Sequence, residues 1–595
     1  MVLNGSDWIF VVGYFVISLI IGLVSAKQSG KNASEFFLSG RTMPWWLLGV
    51  SMVATTFSAD TPNLVTDIVR NNGVGGNWVW WAFLLTGMMT VFIYARLWRR
   101  SAVATDLEFY ELRYSGKMAA FLRGFRAIYL GVIFNVIILA TVSLAAVKMG
   151  SIMLNMPPWK TLLLGSVITA IYSTLGGLRG VLLTDFFQFF VAMAGSVAAS
   201  IYIVNMPEVG GLANLLNHPN VAGKLNILPD FNDPQQLWAL IILPLAIQWW
   251  SVWYPGAEPG GGGYIAQRML AAKNERHAVG ATMFFNFAHY ALRPWPWILV
   301  ALASLVIFPQ VNDIAKAFPQ VPADKIGHDL GYPAMLTYLP HGLLGLVVAS
   351  LIAAFMSTLA TQLNWGSSYI VYDFYKRFIN PEAKEKQMVR VGQLSTVLLT
   401  IFGMLVTLLL TNALQGFDII LQVGAGTGLI FILRWFWWRI NAYSEMAAMA
   451  ISFLVAIYFT FIHPADAPVA QHWQLIIGIL ITTVGWLVVT YLTEPTDHKT
   501  LVNFYNKIRP DQMGWKPVIA QGIKEGSIQA GQVTHGELPL QILCMVIGCF
   551  TVYGALFALG FWIYGQTTSA LISGVIAVAG TYFLIKTWGK VAGSK

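Results

Sequence analysis

Residues 45–63 read WWLLGVSMVATTFSADTPN, and this stretch decides the fold. Its first half is apolar enough to enter a membrane, but Pro62 removes a backbone donor and clashes with the preceding turn. Asp60 and the neighbouring hydroxyls compete with the helix for hydrogen bonds, and an acid in mid-membrane is costly unless it faces a polar cavity. The stretch therefore predicts a transmembrane helix that is broken near Asp60.

A second interruption lies in residues 248–263, which read QWWSVWYPGAEPGGGG. No continuous helix passes through such a run of proline and glycine. Unpaired backbone persists in a membrane only where protein or a water-filled site satisfies it. Two broken helices five predicted spans apart are typical of an inverted repeat, in which the breaks hold a cation and an anionic group. The alternative is a pair of unrelated kinks in ordinary bundle helices.

The whole chain has the composition of an integral membrane protein. Of its 595 residues, 56% are hydrophobic and only 11% are charged, whereas soluble domains carry about 25% charged residues. Apolar runs of roughly 20 residues, the length that crosses a ~30 Å hydrocarbon core, recur from end to end, and they do not alternate as barrel strands do. We predict an all-α polytopic protein of the cell (inner or plasma) membrane with about 15 spans.

The loops between these spans alternate in charge. Most of the 36 basic residues fall in one set of loops, and such loops lie in the cytoplasm. This pattern places the N-terminus outside and the C-terminus inside, which requires an odd number of spans. The net charge of +9 then follows from topology and requires no nucleic-acid partner.

The predicted organisation has five parts along the chain. They are a first helix with its cytoplasmic loop (1–44), a first inverted repeat (45–204), an external loop (205–235), a second inverted repeat (236–440) and accessory C-terminal helices (441–595) that include a cytoplasmic loop at 494–538. The two cysteines, Cys544 and Cys549, share one apolar run and indicate neither a disulfide framework nor a metal site.

The ninth predicted span contains residues 353–364, AAFMSTLATQLN. Ala354, Ser357 and Thr358 share one helix face because they are spaced i, i+3 and i+4. Two hydroxyls and a carbonyl supply the oxygen ligands that a hard cation such as sodium needs. Two further carbonyls are available just before the first helix break, from Ala54 and Phe57. Alternatively, the hydroxyls only bond their own helix or a neighbour.

Five segments, each modest alone, are specific together in this order. They are FFLSGR at 36–41, residues 45–58, GGLRGVLLTDFFQ at 176–188, YIAQRMLAAK at 264–273, and residues 353–364 running on to Asp373-Phe374-Tyr375. With them the chain, over roughly residues 5–440, resembles the sodium/solute symporter family, which includes the sodium-coupled glucose, proline, sialic-acid and iodide carriers.

The resemblance implies a LeuT-type fold, a 5+5 inverted-repeat core with one helix before it and about four after it. It implies a sodium site made of three carbonyls and two hydroxyls, those of Ala54, Phe57, Ala354, Ser357 and Thr358. Asp185 matches a family acid near the sodium exit path, or at a second sodium site in some members. The alternative for Asp185 is a charge near a helix N-terminus, which the helix dipole favours.

In the family the solute sits in mid-membrane beside the helix breaks. This position nominates polar and aromatic side chains on four spans: Asp60, Thr61, Asn135, Gln248, Trp253, Tyr254, Asn286, His289 and Arg293. Alternatively, these side chains only pack in the protein interior, with their polar atoms hydrogen-bonded to other residues. Arg293 either binds a carboxylate of the solute or forms a structural ion pair with Asp60 or Glu258, and the second interpretation is preferred.

These features predict a sodium-coupled symporter that imports a small organic solute, such as a sugar, a sugar acid or a similar metabolite, by alternating access. Its expected partners are the solute, the sodium ion and the lipid bilayer, without a cofactor. Proton coupling at Asp60 or Asp185 and a transporter-like solute sensor are the alternatives. The sequence carries neither a His-Glu-x-x-His motif nor a nucleophile elbow, so no enzymatic activity is expected.

Overall fold

The computed structural model of the protein describes residues 3–153, 156–250, 259–321, 323–410, 426–463, 469–534 and 536–593. Regular secondary structure in these ranges is helical, apart from one isolated bridge between Met43 and Ala272. Ten helices in the described ranges are long and apolar enough to cross a membrane. The prediction of an all-helical polytopic membrane protein is confirmed, whereas the count of fifteen spans and their orientation stay predictions.

The helices follow the apolar runs of the sequence. The main ones are Gly5–Ser29, Trp45–Thr56, Thr61–Asn72, Trp78–Trp81, Leu84–Met89, Ala95–Ser101, Gly116–Ile128, Asn135–Met153, Pro158–Val204, Leu243–Ala246, Gly263–Ala271, Glu275–Phe287, Pro294–Ile307, Leu343–Tyr369, Glu385–Leu409, Gly428–Leu433, Ala442–Ile457, Gln471–Leu492, Glu537–Ile563 and Thr567–Val591. Wider π turns extend or join several of them at Thr90–Tyr94, Tyr129–Phe134, Trp238–Ile242, Ala288–Leu292, Ile370–Ile379 and Tyr458–Ile462. Short helices lie in the connections at Ala33–Leu38, Phe109–Arg113, Leu212–Asn217, Pro219–Ala222, Pro234–Leu237, Val311–Ala317, Gly331–Leu336, His498–Ile508 and Lys516–Lys524.

The break predicted near Asp60 is present in the structure. The helix Trp45–Thr56 is followed by Phe57, whose backbone angles of φ −87° and ψ 74° are not helical. A new helix then runs over Thr61–Asn72. Pro62 lies in the first turn of this second helix, where a missing N–H needs no partner. We call the two segments together the broken helix.

The 47 residues of Pro158–Val204 form two helices that meet at a kink at Gly177. A straight helix of that length would be roughly 70 Å long, more than twice a ~30 Å hydrocarbon core. Gly177 has φ +52° and ψ −159°, a conformation open essentially only to glycine.

Gly177→Ala is expected to lower the free energy of unfolding by about 1–3 kcal/mol, because alanine would be strained in this conformation. Its Cβ would also lie 2.7 Å from the carbonyl oxygen of Phe36. The matched control is Gly180→Ala, whose Cβ would make an ordinary 3.5 Å contact with Ser25. Denaturation of the two purified variants in detergent checks this; equal stabilities would show that the bend carries no backbone strain.

The centre of the molecule is occupied by Leu343–Tyr369, which we call the hydroxyl helix because it carries Ser357, Thr358 and Thr361. Nearly all of its side chains are buried. The C-terminal helix Thr567–Val591 is at the other extreme, with few buried residues. Since apolar side chains on its outer faces are exposed, this helix lies at the lipid-facing edge of the protein.

Candidate functional site

The broken helix and the hydroxyl helix meet at the end of the segment Trp45–Thr56. The hydroxyl of Thr358 donates to the carbonyl oxygen of Thr55 at 2.7 Å and lies 3.3 Å from that of Ala354 in its own helix. The hydroxyls of Thr55 and Thr361 lie 2.9 Å apart. Alanine, serine and threonine at the crossing permit this close approach of two backbones. Thr358 therefore bonds across the helix interface as well as within its own helix.

A buried acid closes this junction on one side. Asp185 accepts hydrogen bonds from Ser51 of the broken helix at 2.5 Å and from Ser357 of the hydroxyl helix at 2.7 Å. Its side chain is fully buried. Asp185 thus connects three helices, namely its own, the broken helix and the hydroxyl helix.

Arg268 balances the charge of Asp185. The guanidinium lies 3.6 Å from the carboxylate, and both side chains are fully buried. The same guanidinium donates to Ser51 at 3.1 Å and to Thr361 at 2.7 Å. A buried charge needs a partner of this kind, because leaving one member unpaired costs several kcal/mol.

Carbonyl and hydroxyl oxygens surround the junction. Ala54, Phe57 and Ala354 are buried beside it, and the hydroxyls of Ser357 and Thr358 are buried within it. Carbonyl and hydroxyl oxygens are neutral hard ligands that suit a hard cation. The amide of Phe57 donates to the carbonyl oxygen of Ala54 at 3.1 Å, at the point where the helix ends.

Arg293 and His289 contact the end of the helix Trp45–Thr56, next to the break. Arg293 donates to the hydroxyl of Thr56 at 3.1 Å and to the carbonyl oxygen of Val53 at 3.4 Å, and it lies 3.3 Å from His289. His289 lies 3.1 Å from the same Thr56 hydroxyl. A cation at a helix C-terminus is favourable to the helix dipole. Arg293 thus stabilises the end of the segment Trp45–Thr56.

In the described part of the chain Arg293 bonds hydroxyl, carbonyl and imidazole groups and forms no direct ion pair with Asp60, so its pairing with one of the two acids stays a prediction. The other expected partner, Glu258, lies outside the described residues. So do two predicted solute residues, Trp253 and Tyr254.

The remaining predicted solute residues are divided among four helical segments. The amide of Asn135 donates to the carbonyl oxygen of Gln362 in the hydroxyl helix at 2.8 Å. The side-chain amide of Gln248 donates to the carbonyl oxygen of Val79 at 2.9 Å. The side-chain amide of Asn286 donates to the carbonyl oxygen of Thr282, in its own helix, at 2.8 Å. Thr61 lies 3.4 Å from the carbonyl oxygen of Thr56 across the break.

Within the described ranges, three of the predicted solute residues each have a buried side-chain oxygen without a hydrogen-bond partner, as Asn63 and Gln188 also do. The three predicted residues are Asp60, Asn135 and Asn286. A buried acceptor left unpaired costs roughly 1–3 kcal/mol. Such atoms are expected where a ligand supplies the missing donors.

The sequence prediction missed several members of the site. These are Ser51, Thr55, Thr56, Arg268 and Thr361. A local signal existed for three of them, since Ser51 and Thr55 are spaced i, i+4 before the break and Thr361 lies one turn after Ser357. For Arg268 the only signal was its place within residues 264–273.

A helical membrane protein with a span broken beside buried oxygen donors has the architecture of a secondary transporter. Residues 36–452 match the sequence family described as Sodium:solute symporter family, which is well over half of the chain. The protein belongs to this sodium:solute symporter family, as the sequence segments predicted, and it is an integral membrane protein.

Similar proteins include sodium/glucose and sodium/myo-inositol cotransporters. The sodium/glucose cotransporter of Vibrio parahaemolyticus is 26% identical over 81% of this chain and 90% of its own length. Sodium/glucose cotransporter 1 of Mus musculus is 24% identical over 83% of this chain and 79% of its own. Sodium/myo-inositol cotransporter 2 of Oryctolagus cuniculus is 25% identical over 83% of this chain and 77% of its own.

The fold has a counterpart among solved structures. The substrate-bound outward-open state of a Na+-coupled sialic acid symporter superposes with a TM-score of 0.68 at 20% identity, over 83% of this chain and 99% of that one. The predicted LeuT-like architecture is therefore confirmed at the level of the fold.

Proposed function

We propose that this protein imports a small hydroxyl-bearing organic solute with sodium by alternating access. The observation that carries the proposal is the junction at which Thr358 of the hydroxyl helix bonds Thr55 of the broken helix at 2.7 Å. Sodium would bind there to the carbonyl oxygens of Ala54, Phe57 and Ala354 and the hydroxyls of Ser357 and Thr358. Asp185 would act beside this site by holding Ser357.

Sodium at this junction would couple to the solute through the helix break. An ion that binds the carbonyls at the end of Trp45–Thr56 fixes the backbone of residues 57–60, and these residues lead directly to Asp60 and Thr61. A ligand shifts a conformational equilibrium only by its differential affinity for the two states. The membrane potential adds about 2.3 kcal/mol per charge per 100 mV, enough to drive accumulation of the solute against its gradient.

The class of solute is inferred from the unpaired acceptors. The side-chain oxygens of Asp60, Asn135 and Asn286 require donors, and solute hydroxyls would supply them. Several relatives are named for glucose or myo-inositol, which are both rich in hydroxyls. A sugar, a polyol or a sugar acid therefore fits better than an apolar amino acid.

A screen of metabolites by thermal unfolding, with and without sodium, is expected to find a sugar, polyol or sugar acid that stabilises the purified protein only when sodium is present. Uptake of that compound into liposomes should then require a sodium gradient and should stop when choline replaces sodium at fixed pH. Uptake driven by a pH gradient in choline would indicate proton coupling instead. Sodium-dependent binding without any uptake would favour a solute sensor.

A further inference from the structure

A groove runs along the outer surface between the helix Glu275–Phe287 and the C-terminal helices. Its volume is about 710 Å³. One wall is a stripe of side chains on the first helix, namely Arg276, Gly280, Met283 and Phe287, and the opposite wall includes Thr581 and Trp588 of the C-terminal helix. The spacings i, i+4, i+7 and i+11 place the four wall residues on one helix face.

The dimensions of the groove match one leaflet of a bilayer. Arg276 and Phe287 are separated by eleven residues, or roughly 16 Å at 1.5 Å per residue. This is close to half of a ~30 Å hydrocarbon core. The stripe below Arg276 is apolar, and Trp45 and Trp588 line the end of the groove near the arginine, as tryptophans do at the interface between membrane and water.

Among the described residues, none balances the charge at this end of the groove. Arg276 makes no hydrogen bond or ion pair with any other described residue. The neighbouring acid, Glu275, is engaged by Arg100 through two hydrogen bonds of 3.1 Å. Beside Arg276, the Nδ1 atom of His277 accepts a hydrogen bond from the amide of Trp45 at 3.0 Å, so its Nε2–H is a second donor.

We propose that this groove binds one anionic phospholipid, with its phosphate at Arg276 and one acyl chain along the apolar stripe. The unpaired guanidinium supplies a charge-assisted contact to a phosphate, and basic pockets between transmembrane helices suit anionic head groups. The lipid would connect the accessory helix Thr567–Val591 to Glu275–Phe287 by filling the space between them. This inference concerns a surface separate from the sodium junction and does not depend on it.

The test compares phosphatidylglycerol with phosphatidylcholine, each added in mixed micelles to the full-length purified protein. Phosphatidylglycerol is expected to raise the unfolding temperature more than phosphatidylcholine, and native mass spectrometry is expected to show one retained phosphatidylglycerol. Arg276→Gln should weaken the apparent affinity for phosphatidylglycerol about tenfold, because it removes one charge-assisted hydrogen bond. Lys117→Gln, which removes an exposed cation on a helix that does not line the groove, is the matched control and should behave like the wild type.

A second variant closes the groove without changing charge. Thr581 is exposed on the groove wall, so Thr581→Trp should fill the groove and prevent retention of the lipid while the protein stays folded. The proposal is overturned if both lipids stabilise equally, or if Arg276→Gln binds phosphatidylglycerol as tightly as Lys117→Gln. It is also overturned if the groove instead mediates a dimer that forms without lipid and is lost in Thr581→Trp.

Discussion

Replacing Ser357 and Thr358 together by alanine is expected to remove most of the stabilisation that sodium gives to the purified protein. Each hydroxyl would contribute one oxygen to a cation, and contacts of a polar group with a charge are worth about 1.5–3 kcal/mol. Two such contacts together are worth about 3–6 kcal/mol, so the double variant should bind sodium at least about a hundredfold more weakly, at about 1.4 kcal/mol per tenfold. The measurement is thermal unfolding across a series of sodium concentrations, with choline keeping the ionic strength constant.

The matched control lies on the same helix. Ser350 is equally buried, but its hydroxyl donates to the carbonyl oxygen of Val347 within the helix, at 2.8 Å. Ser350→Ala should keep the sodium response of the wild type. Thr358→Ala alone separates the direct effect from an indirect one, because Thr358, unlike Ser357, makes no hydrogen bond with Asp185 in the described chain. If the double variant responded to sodium like Ser350→Ala, the assigned site would be wrong.

Replacing Arg268 by glutamine is expected to destabilise the protein by about 3–5 kcal/mol, the usual cost of leaving one member of a buried ion pair without its partner. Asp185 would then be a buried acid held only by the hydroxyls of Ser51 and Ser357. The double variant Asp185→Asn with Arg268→Gln should recover part of this loss, because no buried charge is left unpaired. Chemical denaturation in detergent measures the free energy of unfolding of the single and the double variant.

The ion pair of Arg377 and Glu111 at the surface provides a control for the buried pair of Arg268 and Asp185. Arg377 bonds Glu111 at 2.8 Å, but its side chain is 43% exposed. Such pairs contribute about 0–1 kcal/mol, so Arg377→Gln should have little effect on unfolding. A loss in Arg268→Gln no larger than that in Arg377→Gln would mean that the Arg268–Asp185 pair is not needed to hold the junction.

The parts of the fold that depend on local chemistry could be predicted from the sequence. Pro62 and the polar residues around Asp60 predicted a break, and the helix does end at Thr56 and begin again at Thr61. The spacing of Ser357 and Thr358 placed them on one helix face because the 3.6-residue period is a local property. The composition also indicated a membrane protein, because a chain that is surrounded by lipid must be rich in apolar residues whichever of its helices pack together.

The parts that depend on which helices pack together could not be predicted in this way. No spacing connects Arg268 with Asp185, or Thr358 with Thr55, because each pair meets only after distant segments fold against each other. The π turn at Ala288–Leu292 adds a residue to the helical turn, which regular periodicity does not reveal. It precedes Arg293, which bonds Thr56, Val53 and His289 and forms no direct ion pair with Asp60 in the described chain.

The central claim is that backbone and hydroxyl oxygens at one helix crossing hold sodium. Equilibrium binding of radioactive sodium to the purified protein tests it most directly. We predict saturable binding that unlabelled sodium displaces and choline does not, and that is lost when Ser357 and Thr358 are both alanine. Undiminished binding in that variant would contradict the claim.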